Sequence, residues 1–154
     1  MKFIIRNISL LFLALIAGGC TKYVTERITE QPINNYYGAN VKSYYITAKN
    51  DRWLVPDNIM PGKEGYYAFQ TFEFPEINDN VIENGVVLVY YIDSSGRDNL
   101  LPYIIPFGQE GYCVYESYRY DIEKGFLTVI IESSDFQYVP RETDLRFKVV
   151  VIEP

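Results

Sequence analysis

The sequence predicts an all-β domain over residues 41–154, an antiparallel seven-stranded sandwich of immunoglobulin-like type. Short runs rich in β-branched and aromatic residues alternate there with turn clusters, as in strands. No segment of this region carries the apolar period of a three-turn helix. A predicted leader of 19 residues leaves 135 residues, the usual size of one domain. A small closed β-barrel is the alternative fold.

Seven segments have the composition of strands. Val41–Ala48 and Tyr66–Phe74 are β-branched and aromatic, and Leu145–Ile152 alternates apolar with basic residues. The short segment Glu123–Gly125 predicts a hairpin turn between two further strands. Pro75–Asn84 predicts one helical turn, because proline suits a first helical position. The predicted strands are Val41–Ala48, Tyr66–Phe74, Gly85–Ile92, Asn99–Phe107, Tyr112–Ile122, Phe126–Glu132 and Leu145–Ile152.

The segment Gly85–Ile92 is a continuous apolar run, which is typical of a strand covered on both faces. The turn cluster Asp93–Asp98 joins it to Asn99–Phe107, and this arrangement predicts a hairpin. Pro102 and Pro106 lack a backbone N–H, so we expect the second strand of this hairpin at a sheet edge.

Residues 1–19 have the pattern of an export signal. Lys2 and Arg6 precede the apolar stretch Ile8–Ile16, and small residues follow it up to Cys20. This apolar run is shorter than the roughly 20 residues that a spanning helix needs. The ending AGGC resembles the lipobox of bacterial lipoproteins, although Ala17 stands where leucine is more common. The alternative is an ordinary secretory signal with an incidental cysteine.

The lipobox resemblance implies a diacylglycerol on the sulfur of Cys20, cleavage before that residue, and further acylation with chains such as palmitate. Several acyl chains give durable membrane attachment, whereas one gives only weak attachment. Residues 20–40 then form the acylated N-terminus and a polar tether. An irregular first strand that lies on the domain is the alternative for this tether.

Composition limits the possible functions. The chain without its leader has 12 basic and 20 acidic residues, a net charge of about −8, which disfavours nucleic acid. Histidine is absent, so a zinc site of the Cys/His type is not expected. No cofactor is predicted. Cys113 has no disulfide partner if Cys20 is acylated, and we interpret it as a small apolar filler.

Several short motifs occur in the same order as in a known group of proteins. They include Trp53, FPEI at 74–77, NGVVLVYY at 84–91, SSDF at 133–136 and FKVVVI at 147–152. The chain resembles the small, uncharacterised lipoproteins of Bacteroidetes-type bacteria, which have one β-sandwich behind a lipobox. This resemblance implies a fold and an outer-membrane location, and it transfers no catalytic residue. An acidic run often follows the cysteine in surface-exported members, whereas Thr21 to Val24 follow it here, so orientation stays open.

Paired carboxylates are the best candidates for catalysis, and in a chain with 20 acidic residues such pairs are unavoidable. We therefore predict that the protein is not an enzyme. The triplet Asn78–Asn80 offers oxygen atoms to calcium, but a helix-capping role is the stronger interpretation. The pairs considered are Glu73 and Glu76, Asp79 and Glu83, Glu110 and Glu116, and Glu142 and Asp144.

Tyrosine is unusually frequent, with 15 residues in the chain and several doublets. Neighbouring residues of a strand point to opposite faces, so each doublet is expected to place one ring inside and one outside. Outward tyrosines offer contact area to a protein or glycan, although cross-strand pairing on an exposed face is a sufficient explanation. The candidate binding aromatics are Tyr36, Tyr37, Tyr44, Tyr45, Tyr66 and Tyr67.

The sequence thus predicts a lipid-anchored, non-catalytic protein of the outer membrane. It would act as an interaction or accessory module for an unknown envelope protein or glycan. A structural component or anchor of a surface filament is the alternative. The predicted partners include the membrane, through the covalent lipid, and exclude nucleic acid.

Overall fold

A computed structural model describes residues 27–32, 39–109, 112–137 and 142–154. The predicted leader, Cys20, Tyr36 and Tyr37 lie outside these residues. The described residues form nine strands and one short helix, α1, Asp79–Asn84. The strands are β1 Arg27–Pro32, β2 Asn40–Ala48, β3 Ala68–Glu73, β4 Val86–Ile92, β5 Asp98–Leu100, β6 Tyr103–Gln109, β7 Tyr112–Glu123, β8 Phe126–Ser133 and β9 Leu145–Glu153.

The strands form two antiparallel sheets that pack face to face, which confirms the predicted sandwich. One sheet has the order β1-β2-β9-β4-β5 and the other has the order β3-β8-β7-β6. The fold is therefore two separate sheets rather than the single closed sheet of the alternative prediction. In immunoglobulin domains the second and the last strand lie in different sheets, whereas here β2 pairs with both β1 and the last strand, β9.

The strand count differs from the predicted seven. Part of the predicted tether, Arg27–Pro32, pairs with β2 as an edge strand. The predicted strand Asn99–Phe107 is divided into β5 and β6, which belong to different sheets. The chain changes sheets between them at Leu101–Pro102, and Leu101 N–H donates to Val89 O over 2.8 Å. Both β5 and β6 are edge strands, which confirms the edge position expected from the prolines.

The core lies between the sheets and follows the alternation of the strands. Phe147, Val149 and Val151 of β9 are at most 4% exposed and face the other sheet. Across the core, Tyr120 of β7 donates its hydroxyl proton to Val87 O of β4 over 2.8 Å. Hydrogen bonds of this kind satisfy polar groups that would otherwise be costly to bury.

Helix α1 covers one end of the sandwich. Asn78 caps it, because its Oδ1 accepts from Val81 N–H over 3.0 Å. The capping interpretation of Asn78 is thereby confirmed. After the helix, Gly85 passes so close to β9 that a Cβ atom there would lie 2.5 Å from Ile152 O. This contact requires glycine between α1 and β4.

Candidate functional site

The structure describes four of the six candidate tyrosines and does not bring these four together. Tyr44 is fully buried, and its ring meets that of Phe74 edge-on with centroids 5.1 Å apart. Tyr66 is only 9% exposed. Neither ring is therefore available to a partner, and these two candidates are corrected to core residues. Tyr45 and Tyr67 are half-buried and lie on opposite outer faces of the sandwich.

Tyr67 belongs to an aromatic and basic group on the outer face of the four-stranded sheet. Its ring lies 5.9 Å from that of Phe69, and the Arg119 guanidinium lies 5.6 Å from the Tyr67 ring centroid. Leu54 pairs with Phe69 through two backbone hydrogen bonds of 2.9 Å and is 51% exposed. We call Leu54, Tyr67, Phe69 and Arg119 the Tyr67 cluster.

The strand register explains why these residues meet. Phe69 of β3 is paired with Ile130 of β8, and Ile130 is paired with Arg119 of β7. The three side chains therefore form one row across the sheet. Ile130 is only 3% exposed although it faces outward, so the cluster covers it.

Two acidic side chains hold the guanidinium of Arg119. Asp121 Oδ2 lies 3.4 Å from a terminal nitrogen of Arg119, and Glu132 Oε2 lies 3.7 Å from its Nε. Because all three side chains are partly exposed, these ion pairs contribute little to stability. They do restrict the position of the guanidinium beside Tyr67. The cluster thus has an aromatic and arginine centre with a polar rim, as protein interfaces commonly have.

Tyr45 lies in a different surface, on the outer face of the five-stranded sheet. Pairing across β2, β9 and β4 places Tyr45, Lys148 and Tyr90 in one row. The next rows place Val150 beside Leu88, and Ile152 beside Val86, on the same face. We call these residues (Tyr45, Val86, Leu88, Tyr90, Val150 and Ile152) the apolar face.

Lys148 crosses the middle of the apolar face. Its ammonium lies 4.8 Å from the centroid of the Tyr90 ring and also binds the carboxylate of Asp98. A cation over an aromatic ring is attracted by the negative face of the ring. One side of Tyr90 is therefore occupied, which leaves this ring poorly suited to stacking on a sugar.

Two members of the candidate carboxylate pairs, Glu116 and Asp144, accept hydrogen bonds from other described residues. Glu110 of one pair lies outside them, and its partner Glu116 is buried and accepts from the Tyr118 hydroxyl over 2.6 Å. The Asn50 N–H donates to Asp144 and is the main cause that lowers the pKa of this carboxyl. The backbone N–H of Arg97 is likewise the main cause that lowers the pKa of Asp93. Catalytic acids need the opposite, a raised pKa.

A small cavity of about 100 Å³ lies where α1 meets the ends of β2 and β9. Two asparagine side chains at this place, Asn78 and Asn80, donate to Glu153 Oε1 over 3.5 and 3.3 Å. The described part of the chain holds no group of three residues that could ligate a metal ion. The residues that line the cavity are Asn40, Lys42, Glu76, Asn78, Val151 and Glu153.

The interpretation of Cys113 as a small apolar filler is wrong. The residue is exposed and has a free thiol on the outer side of β7. The side-chain hydrogen bond between Cys113 and Tyr115 is the main cause that raises the pKa of the tyrosine. The alternation of β7 already places Cys113 opposite to the inward-facing Val114.

No family model, curated protein or solved structure matches this chain. None of the helices in the described part of the chain is long and apolar enough to cross a membrane.

Proposed function

We propose that this protein is a lipid-anchored, non-catalytic component of the outer envelope that binds a partner through the Tyr67 cluster. The lipobox-like ending at Cys20 supports the anchor. The observation that carries the binding role is the group of exposed Leu54 and partly exposed Tyr67, Phe69 and Arg119 on the outer face of one sheet. Tyrosine and arginine supply a large share of the binding energy at protein interfaces.

A protein is the favoured partner. The Tyr67 cluster lies on the outer surface of a sheet, and Arg119 already occupies the space over its tyrosine ring. A partner with an apolar centre and basic rim would complement both the cluster and the acidic residues around it. Glycan binding is the competing outcome of the test below.

The binding role is tested by photo-crosslinking in intact cells. A photoreactive phenylalanine analogue replaces Tyr67 in one strain and exposed Ser95, in the β4–β5 turn, in a control strain. We expect a discrete protein adduct at position 67 and none at position 95. Binding of a glycan that is lost in Tyr67→Ala, without a protein adduct, would identify a sugar ligand instead. The absence of both adduct and glycan binding would refute the role of the cluster.

The anchor is tested separately by cell fractionation. We expect the unaltered chain to sediment with the outer membrane and Cys20→Ala to lose this association after signal cleavage. A Cys20→Ala protein that stays with membranes would contradict the acylation. Protease treatment of intact and lysed cells then shows whether the domain faces the medium or the periplasm.

A structural component of a surface filament is a second candidate function, and the position of β1 favours it. This strand lies at a sheet edge, so an equivalent strand from another copy could replace it without disturbing the core. Strand exchange would give oligomers that depend on concentration and resist mild denaturation. Size-exclusion chromatography over a range of concentrations distinguishes this function from that of a monomeric module.

A further inference from the structure

The two outer faces of the sandwich differ in charge and polarity. On the outer face of the five-stranded sheet, strands β2, β9, β4 and β5 carry two basic residues, Arg146 and Lys148, and one acid, Asp98, beside the apolar residues. The outer face of the four-stranded sheet has four acids against the single Arg119. These acids are Glu73, Asp121, Glu123 and Glu132. The outer face of the four-stranded sheet is thus the more acidic of the two.

The apolar face also has exposed edges that no described residue covers. Val86 is 47% exposed, and Leu100, paired with Tyr90 from β5, is 49% exposed. Tyrosine beside aliphatic residues and cations is the composition that favours the boundary between lipid head groups and acyl chains. Anionic head groups attract lysine and arginine at short range and repel acidic residues.

The chain enters the domain through the same sheet. Strand β1 begins at Arg27, and seven Cα–Cα steps separate it from Cys20. Each step spans at most about 3.6 Å, so an anchor at Cys20 holds Arg27 within about 25 Å of the membrane. Facing the five-stranded sheet to the membrane puts this edge strand near the surface. Facing the other sheet adds the roughly 10 Å between sheets to the distance that the tether must span.

We propose that the apolar face lies on the lipid surface of the membrane that holds the anchor, so that the Tyr67 cluster points away from it. This inference rests on the acylation of Cys20 in the proposed function. A second copy is a poorer occupant, because a two-fold axis at the centre of this face would bring two Lys148 side chains together. The Lys148 ammonium over Tyr90 likewise disfavours a stacked sugar.

The test uses the full mature chain, purified from membranes and reconstituted in vesicles of phosphatidylethanolamine with a minor share of phosphatidylglycerol. An environment-sensitive fluorophore is attached to a single cysteine on either side of the sandwich. Exposed Cys113 reports on the four-stranded sheet. Val150→Cys, in a Cys113→Ser background, reports on the apolar face. Leu100→Cys in the same background is a second reporter there, at a more exposed site that tolerates substitution.

We expect spin-labelled lipid to quench the fluorophore at positions 150 and 100 and to leave the one at Cys113 unquenched. Arg146→Ala should lower the ratio of docked to undocked chains about fivefold, since each surface cation near anionic lipid contributes about that factor. Lys124→Ala, which removes an exposed cation from the β7–β8 turn, is the matched control and should have no effect.

Each other outcome overturns the proposal in a recognisable way. Chains that float with vesicles but show no quenching at positions 150 and 100 are anchored and not docked. Shielding of these positions from aqueous iodide without quenching by lipid means that protein covers the face. Chains that fail to float lack the anchor, which refutes the acylation in the proposed function together with this inference.

Discussion

Two adjacent valines of β9 provide a sharp test of the sandwich. Val149 is fully buried, and its cross-strand neighbours are Tyr44 and Val89. Val150 points the opposite way, into the apolar face, and is half-buried. Replacement of either residue by alanine makes the same chemical change in the same strand. A difference between the two variants therefore reports the environment and not strand propensity.

The magnitudes follow from this burial. Valine to alanine removes two carbons, worth about 1.6 kcal/mol at about 0.8 kcal/mol for each buried carbon. At Val149 the enclosed cavity adds about 1 kcal/mol, so we expect Val149→Ala to lower the free energy of unfolding by about 2–3 kcal/mol. At Val150 roughly half of the transfer term applies and no closed cavity forms, which gives about 0.5–1 kcal/mol.

The assay is equilibrium unfolding in urea. Fluorescence of Trp53, the single tryptophan, follows the transition because this side chain packs against the core. Equal losses for the two variants, or a larger loss for Val150→Ala, would refute the assignment of inner and outer faces. Unchanged dependence on urea concentration in both variants would show that the same folded structure is being compared.

Three further outcomes are expected in the same protein. Tyr120→Phe should lower the free energy of unfolding by about 1 kcal/mol in urea titrations, because it deletes the hydrogen bond to Val87 O between the sheets; no loss would exclude that bond. Asp144 has a lowered pKa when folded, so its stabilising effect is present above the unfolded pKa and is lost as the pH falls through the folded pKa. Asp144→Asn should therefore be less stable at neutral pH and flatten the acid limb of the profile of stability against pH, and parallel profiles would contradict this. Cys113 should react with maleimide in the folded chain without denaturant, whereas a requirement for urea would contradict its exposure.

The sequence predicted most of the sandwich because its strands alternate locally. Leu145–Ile152 was expected and β9 spans Leu145–Glu153, with the odd-numbered residues up to Val151 buried. Strand β9 lies in the middle of its sheet, so its alternation of apolar and polar residues reflects burial of one face against the core. The apolar run Gly85–Ile92 also became a strand, β4, but the expected cover on both faces is wrong. Only its inward-facing residues are buried, Val86 is 47% exposed, and the outward-facing residues form part of the apolar face.

The structure departs from the main prediction in two places. Strand β1 had been included only as the alternative for the tether, and the predicted strand Asn99–Phe107 is divided; both features depend on contacts with other parts of the chain. The segment RITEQP of β1 is polar and short, and it is ordered by backbone pairing with β2, which its own residues do not signal. The change of sheet at Pro102 could not be predicted from the sequence either. Proline lacks a backbone N–H both at a sheet edge and where a chain passes between sheets, so the residue alone does not distinguish the two positions. Both features are set by tertiary structure rather than by propensity.

The candidate site was even harder to predict from the sequence than the strands. The tyrosine doublets were visible in the sequence, and strand alternation separates Tyr44, which is buried, from Tyr45, which faces outward. Arg119, however, is 52 residues from Tyr67 and reaches it only because β8 pairs with both β3 and β7. No spacing along the chain could have indicated that contact. A binding surface on the outer side of a sheet is assembled from one residue per strand, so strand order has to be known before the surface can be recognised.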